Sequence, residues 1–291
     1  MKFNDQQIAK ISTEVQNIVK GKVLFDHFSR GRYSTDSYLY QITPLGAVLP
    51  KDQNDVLNLM EYSQKNSIHL LARGGGSSQC GQTVGESIVL DYSKYQNQIL
   101  ELNVEEKYVW VQPGIVLDTL NAYLKPYGLW FPVDVSTSSR ATIGGMTGNN
   151  SCGSRSLYYG NMVNNVLAVE AILDDGTIHT FEDIEKSYLQ TTNDQNRQYE
   201  IIKKFIELRE NVNDDIDQYW PKTQRRVGGY NIDLINPNGF NTSNILVGSE
   251  GTLSLFNKIK LKLWPIPKQK ILGVCYFAVS YTHLRAHETS A

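Results

Sequence analysis

Apolar residues at Ile8, Ile11, Val15, Ile18 and Val19 recur at three- and four-residue spacing, which predicts helix over much of residues 1–30. A polar connector rich in serine and tyrosine follows over 33–40. From Ala47-Val48-Leu49 the pattern becomes that of a short buried strand. A helical stretch over 54–65 and a second apolar run, Ile68-His69-Leu70-Leu71-Ala72, come next. Strand, helix and strand in that order predict a small β-α-β unit. Ile88-Val89-Leu90 and Ile99-Leu100-Glu101-Leu102 read as further strands of that first lobe. From Tyr108 to about Pro265 a second lobe mixes short strands with helices over 117–125 and 197–211.

The first lobe runs into Arg73-Gly74-Gly75-Gly76-Ser77-Ser78-Gln79-Cys80-Gly81-Gln82-Thr83. Three successive glycines lose more backbone entropy on folding than other residues, so they are kept where side chains would obstruct something. A phosphate gains most from bare backbone, because several amides can turn onto one anion at roughly 1.5–3 kcal/mol each. Two familiar phosphate loops fail on spelling. The dinucleotide fingerprint G-x-G-x-x-G would need glycine at Gln79 and a helix after it. The Walker A spacing from Gly76 to Thr83 puts neutral Gln82 where the essential lysine belongs. A glycine-rich surface loop without a ligand stays open for this stretch alone.

A second stretch poor in large side chains spans 132–162. It contains Pro132-Val133-Asp134, Thr137-Ser138-Ser139, Ile143-Gly144-Gly145-Met146, Asn149-Asn150-Ser151-Cys152-Gly153 and Tyr159-Gly160. Ile143 to Met146 could open a short helix with amides turned to an anion. Irregular segments of this length within a compact domain are usually functional.

At these residues the chain resembles the FAD-binding PCMH-type domain of the vanillyl-alcohol oxidase superfamily. Its likeness is greatest to the glycolate oxidase, D-lactate dehydrogenase and D-2-hydroxyglutarate dehydrogenase branch. Three further stretches carry the resemblance: Val109-Trp110-Val111-Gln112-Pro113-Gly114, Ala171-Ile172-Leu173-Asp174-Asp175-Gly176-Thr177, and Val247-Gly248-Ser249-Glu250-Gly251-Thr252 after Gly229-Tyr230-Asn231. It covers about residues 30–266, with the motifs in the family's order.

The resemblance implies an α+β fold: a two-lobed FAD-binding unit over 41–267, with lobes of about 41–107 and 108–267. A helical extension over 1–40 would precede it, and a truncated cap domain would start over 268–279. Residues 280–291, with His283 and His287 four apart, match nothing in the family and read as a non-native tail; with no third ligand they suggest no metal site. FAD would be cradled by Arg73, Gly74, Gly75, Gly76, Ser77, Ser78, Gly81 and Gln82. Pro132, Asp134, Thr137, Ser138 and Ser139 would line it. Ile143, Gly144, Gly145 and Asn149 would cover the pyrophosphate and ribose, with Gly153, Tyr159 and Gly160 completing the wall. Val169 would meet the adenine, and Glu250 and Gly251 would close the site. Relatives with covalent flavin use a histidine where this chain has Ser77, so dissociable, non-covalent FAD is expected.

The activity implied is that of an FAD-linked oxidoreductase acting on CH–OH donors. It would oxidise a D-2-hydroxy acid of the 2-hydroxyglutarate, lactate or glycolate class by hydride transfer to flavin N5. The alternative is a catalytically incomplete FAD-binding or electron-relay module, because the family's base and carboxylate-binding residues lie largely in the cap. No catalytic residue is assigned; Arg225, Arg226 and Tyr230 beside the Gly-Tyr motif are the weak candidates. His27, His69 and His179 have no motif context. The Gly-Asn-Asn-Ser-Cys-Gly spelling is most similar to members fused to an iron–sulfur region, so a 4Fe–4S cluster would belong only to such a C-terminal region.

Composition narrows the partners. With 291 residues, 41% hydrophobic, the chain can bury one large core or two modest ones. A net charge of −2 gives no general positive field, so a diphosphate would be held by local amides, and nucleic acid is not expected. Lys258, Lys260 and Lys262 alternate along a strand and read as a solvated face. Cys80, Cys152 and Cys275 show neither disulfide nor metal spacing and suit a reducing compartment. With no signal-like or membrane-length apolar run, cytoplasm is the expected location.

Overall fold

The computed structural model describes residues 3–185, 197–223, 225–269, 271 and 273–274. The strand expected across 272–278, most of the expected cap start and the tail with His283 and His287 lie outside the described residues.

Helix α1, Asp5–Ile18, begins with a capping box in which the Gln7 amide donates to Asn4 Oδ1 (2.9 Å) and the Asn4 amide to Gln7 Oε1 (2.8 Å). Its buried stripe is Ile8, Ile11 and Val15. The helical reading of 1–30 is interrupted. After Val19 the chain becomes strand β1, Lys22–Leu24, and only then the short α2, His27–Arg32. Gly21 shows why: a Cβ there would overlap the Leu49 carbonyl oxygen, because β1 lies directly on the next strand. The described part of the expected extension over 1–40 packs on the first lobe, with β1 paired to its sheet and α1 in its core.

Strand β2, Gly46–Leu49, helix α3, Gln53–Asn66, and strand β3, Leu70–Arg73, form the β-α-β unit, and β4, Ile88–Asp91, inserts between the two strands. The sheet order is β1-β2-β4-β3, parallel except for β1. Ile88, Val89 and Leu90 on the central strand are fully buried, whereas β3, the edge strand, is only half-buried. Burial on both faces is what its unbroken apolar run requires.

Asp55, on α3, ties this lobe together. Its buried carboxylate accepts from the amides of Lys20 (2.7 Å), Gly21 (2.9 Å) and Lys51 (2.7 Å). Asp55→Ala would strand three donors at once. We expect a loss of roughly 3 kcal/mol, read as a fall in the urea midpoint. An unchanged midpoint would show that water replaces the carboxylate.

The second sheet contains β5 (Ile99–Asn103), β6 (Tyr108–Val111), β8 (Val166–Ile172), β9 (Ile178–Glu185), β10 (Gly239–Asn241) and β11 (Leu255–Lys262). Their order is β10-β9-β8-β11-β6-β5, antiparallel throughout. The pattern of 99–102 attached it to the first lobe. Instead β5 forms a hairpin with β6 across a tight turn at Lys107 (φ 57°), since a nearby antiparallel partner closes a shorter loop than the parallel sheet would. A two-stranded ladder joins β7, Leu129–Trp130, to β12, Trp264–Pro265. Helices α4 (Leu117–Leu124), α5 (Ile143–Gly148), α6 (Ser156–Tyr159) and α7 (Met162–Asn165) lie between β6 and β8. α8 (Arg197–Asn211) and α9 (Asn213–Tyr219) follow β9.

The two sheets share a seam. Ile172 on β8 and Leu255 on β11 pack into the first lobe's core, while Val169, Ile259 and Leu261 of the same strands belong to the second. The alternating lysines are engaged locally: Lys258 with Glu170 (2.9 Å), Lys260 over the Tyr108 ring and Lys262 over the Trp264 ring. Among the described residues no helix is long and apolar enough to cross a membrane, and no group of three or more His, Cys, Asp or Glu could hold a metal ion.

Candidate functional site

Three segments converge where β3 and β4 end: the glycine loop, the stretch around α5 and the turn before β11. Arg73, Gly74, Gln82, Gly144, Gly145, Asn149, Glu250 and Gly251, all expected to bind cofactor, line one open cleft of about 610 Å³. The C-terminal ends of parallel strands are where open α/β sheets place ligands.

The glycines are first of all packing devices. A Cβ on Gly75 would fall far inside contact distance of the Arg140 carbonyl oxygen, and one on Gly74 would overlap Thr142. On the opposite segment, a Cβ on Gly144 would lie 2.6 Å from Pro113 Cβ. The two side-chain-poor stretches therefore touch backbone to backbone.

Their amides differ in use. In α5 the amide of Ile143 donates to Ile115 O (2.9 Å), that of Gly144 to Pro113 O (2.7 Å) and that of Gly145 to Thr142 Oγ1 (3.3 Å). The expectation that these amides point at an anion is corrected: the loop from Pro113 and the Thr142 cap already take them. By contrast, among the described residues nothing accepts a hydrogen bond from the amides of residues 74–78. This run of free donors is the part of the site that fits an anion.

Arg73 lines the cleft, but its guanidinium is committed to backbone carbonyls. Its Nη2 donates to Thr35 O (2.7 Å) and its Nη1 to Tyr33 O (3.3 Å) and Thr83 O (3.2 Å), with the guanidinium beside the Tyr33 ring. Burial lowers its pKa, while Asp91, Tyr33 and Asp36 favour its charged form. Burial first, and then Asp91, which accepts from Tyr33 Oη at 2.6 Å, raise the Tyr33 pKa. The connector read as merely polar thus clamps the loop. Ser37 N donates to Ser78 O (3.0 Å) and Gly81 N to Asp36 Oδ2 (3.1 Å).

Across the mouth, Gln82 Nε2 reaches Asn149 Oδ1 (3.3 Å) and Glu250 Oε1 (3.4 Å), and Ser78 Oγ donates to Gln82 Oε1. The closing turn docks on the end of α5, with Gly248 N on Thr147 O (2.9 Å) and Glu250 N on Gly148 O (3.0 Å). Gly76, Ser77, Ser78 and Gly81 form the outer turn of the loop. Gly76 (φ 62°) is closed over by the Arg73 guanidinium.

The remaining expected residues do not line this cleft. Asp134 accepts from Ser154 Oγ (2.7 Å) and Arg155 N (3.0 Å), with Gly153 packed on it. The Ser138 carbonyl receives the Asp118 amide, the Thr137 carbonyl closes a turn with Arg140, and Ser139 is exposed. Pro132 and Ile143 are buried, and Val169 is fully enclosed in the second core. Tyr159 packs edge-on to Trp130 and Trp264, next to Gly160 (φ 78°).

Of the catalytic candidates, Arg226 pairs with Asp233 and covers the Trp220 ring. Arg225 donates to Gly153 O (3.2 Å), and Tyr230 shares a hydrogen bond with Thr252 Oγ1 (2.8 Å). Arg226 is thereby occupied by structure. The sequence reading passed over Tyr92, Pro113, Thr142, Ser254 and Phe256, which also line the cleft. Tyr92 directly follows Asp91 at the end of the central strand, and that position was the available signal. Burial alone raises the Tyr92 pKa.

A glycine loop with five unpartnered amides, beside an arginine held by backbone carbonyls, fits a diphosphate-bearing cofactor held by peptide dipoles. A family described as FAD binding domain matches residues 44–182. The D-2-hydroxyglutarate dehydrogenase of Pseudomonas putida is 37% identical over 259 residues, covering 87% of this chain and 26% of that protein. The glycolate oxidase subunit GlcD of Bacillus subtilis is 28% identical over 257 residues, covering 87% of this chain and 44% of that protein. This chain spans about a quarter of the length of the dehydrogenase it matches. An alkyldihydroxyacetonephosphate synthase structure shares the fold, with a TM-score of 0.63 over 92% of this chain and 45% of its own, at 18% identity. Residues 44–182 of this chain therefore match the FAD binding domain family, within a fold shared with that synthase structure.

Proposed function

We propose that this chain is the FAD-holding part of a flavin-dependent dehydrogenase for a D-2-hydroxy acid of the 2-hydroxyglutarate, lactate or glycolate class. The observation that carries the reading is the row of unpartnered amides at 74–78, on the loop whose glycines pack against the 140–145 segment. The relatives named as D-2-hydroxyglutarate dehydrogenase and glycolate oxidase support the substrate class. Bound FAD would supply the chemistry, accepting a hydride from the carbon that bears the hydroxyl. The amides of 74–78 would bind the diphosphate, Gln82 and Asn149 would hold the mouth closed, and Glu250-Gly251 would shield the site from water. Ser77 supports non-covalent attachment, because a serine hydroxyl forms no bond of the kind a histidine ring makes with flavin.

A second reading, an FAD-binding module without catalysis of its own, is favoured by the engagement of Arg226 with Asp233 and of Arg225 with Gly153. Arg226 is then committed to a carboxylate and Arg225 to a backbone carbonyl. The full chain should bind FAD and release it as free yellow flavin on acid precipitation. Anaerobic addition of D-2-hydroxyglutarate, D-lactate or glycolate should bleach the bound flavin under the first reading. Stable yellow colour with all three would select the second.

A further inference from the structure

Two hydroxyls at the cleft have no partner within the chain. Tyr92, at the end of β4, is 6% exposed, and Ser254, just before β11, is 8% exposed. Tyr92 Oη and Ser254 Oγ are shielded from solvent and make no hydrogen bond, yet both residues line the cleft. Buried tyrosine hydroxyls usually find a partner, and an orphan destabilises the folded chain while phenylalanine would pack as well. The two residues flank different sheets, Tyr92 directly after β4 and Ser254 directly before β11, and both line the same opening. Phe256, Pro113 and Ala72 give that opening an apolar wall, while Gly74, Gly144 and Gly145 leave backbone exposed beside it. Flat apolar surface with a few hydrogen-bonding groups suits a nitrogen heterocycle, whose edge both donates and accepts.

Resting on the FAD reading, we propose that the Tyr92 and Ser254 hydroxyls, shielded from water in this structure, turn to make the hydrogen-bonding contacts for the polar edge of one ring system of FAD as it binds. They are positioning residues that the folded chain holds unsatisfied until the cofactor arrives. Adenine and the flavin ring share this edge chemistry, so ADP and FMN serve as separate probes of which ring enters.

The test uses the full chain freed of flavin and titrated with FAD by calorimetry, comparing wild type with Tyr92→Phe, Ser254→Ala and Ser63→Ala. Ser63, on α3, also carries a buried, unpartnered hydroxyl but does not line the cleft. We expect Tyr92→Phe to weaken FAD about tenfold while the flavin-free chain melts at the same or a higher temperature, because an orphan hydroxyl has gone. Ser254→Ala should act in the same direction, and Ser63→Ala should leave FAD affinity unchanged. Whichever of ADP or FMN loses affinity in Tyr92→Phe identifies the ring. Wild-type affinity for FAD in both cleft variants would overturn the inference alone, as would weaker binding accompanied by a lower melting temperature in Tyr92→Phe. A wild-type chain that binds no FAD would overturn the flavin reading and this inference together.

Discussion

Gly75→Ala is expected to weaken FAD binding about five- to hundredfold and to lower the melting temperature of the flavin-free chain. One methyl group does both because of where it lands. It would collide with the Arg140 carbonyl oxygen and lie 3.1 Å from the carbonyl carbon, and neither atom can rotate away. The loop or the 140–142 segment must move, and overpacking of this kind costs about 1–3 kcal/mol. The segment that moves also carries the Thr142 cap of α5, and the loop carries the free amides, so the two halves of the cradle separate. Gly31→Ala is the control. Nothing lies within 4 Å of its Cβ position, and it sits inside α2, so it should leave FAD affinity unchanged and raise stability slightly. Differential scanning fluorimetry and a flavin titration read both quantities. If Gly75→Ala loses FAD but keeps its melting temperature, the glycine serves the ligand and not the packing.

This contrast shows what was legible in the sequence. A glycine run after an apolar strand says that something approaches the backbone closely, and the matching small-residue stretch at 142–149 says where the other surface is. Both statements hold in the fold, because close approach is a local demand that a residue type must meet. What approaches is not local. At Gly75 it is another strand of backbone, at Gly76 the chain's own Arg73, while the free amides belong to the same loop. The direction of the Arg73 guanidinium, the partners of the α5 amides and the sheet that β5 joins all depend on residues tens of positions away. Tyr92 is harder to read for a different reason: its one signal, a place directly after the central strand, is in the run Asp91-Tyr92-Ser93 also the spelling of an ordinary strand end, and its missing partner shows only in the fold.

Arg73→Lys should be nearly as damaging as Arg73→Met, with roughly 3 kcal/mol lost from stability and FAD bound more weakly in both. The side chain's task is geometric. Its planar fork meets three carbonyls on two segments, Tyr33 and Thr35 on the connector and Thr83 on the loop. A lysine ammonium keeps the charge but not the fork, and it reaches one of those carbonyls at most with good geometry. With the clamp gone, Ser37 and Asp36 lose their hold on Ser78 and Gly81, and the amides of 74–78 are no longer held in one arc. The competing account makes Arg73 a counter-charge for the diphosphate, and the two accounts differ in sign where salt and lysine are concerned. A counter-charge would be rescued in large part by lysine, and the wild-type affinity would fall steeply with ionic strength. A clamp is not rescued by lysine, and the salt dependence of FAD binding should be the same in wild type and Arg73→Met. Titrations at 50 and 500 mM salt on the three chains decide it. Lysine rescue, or a salt slope that vanishes in Arg73→Met, would return the charge of Arg73 to the cofactor and leave the amides as its auxiliaries.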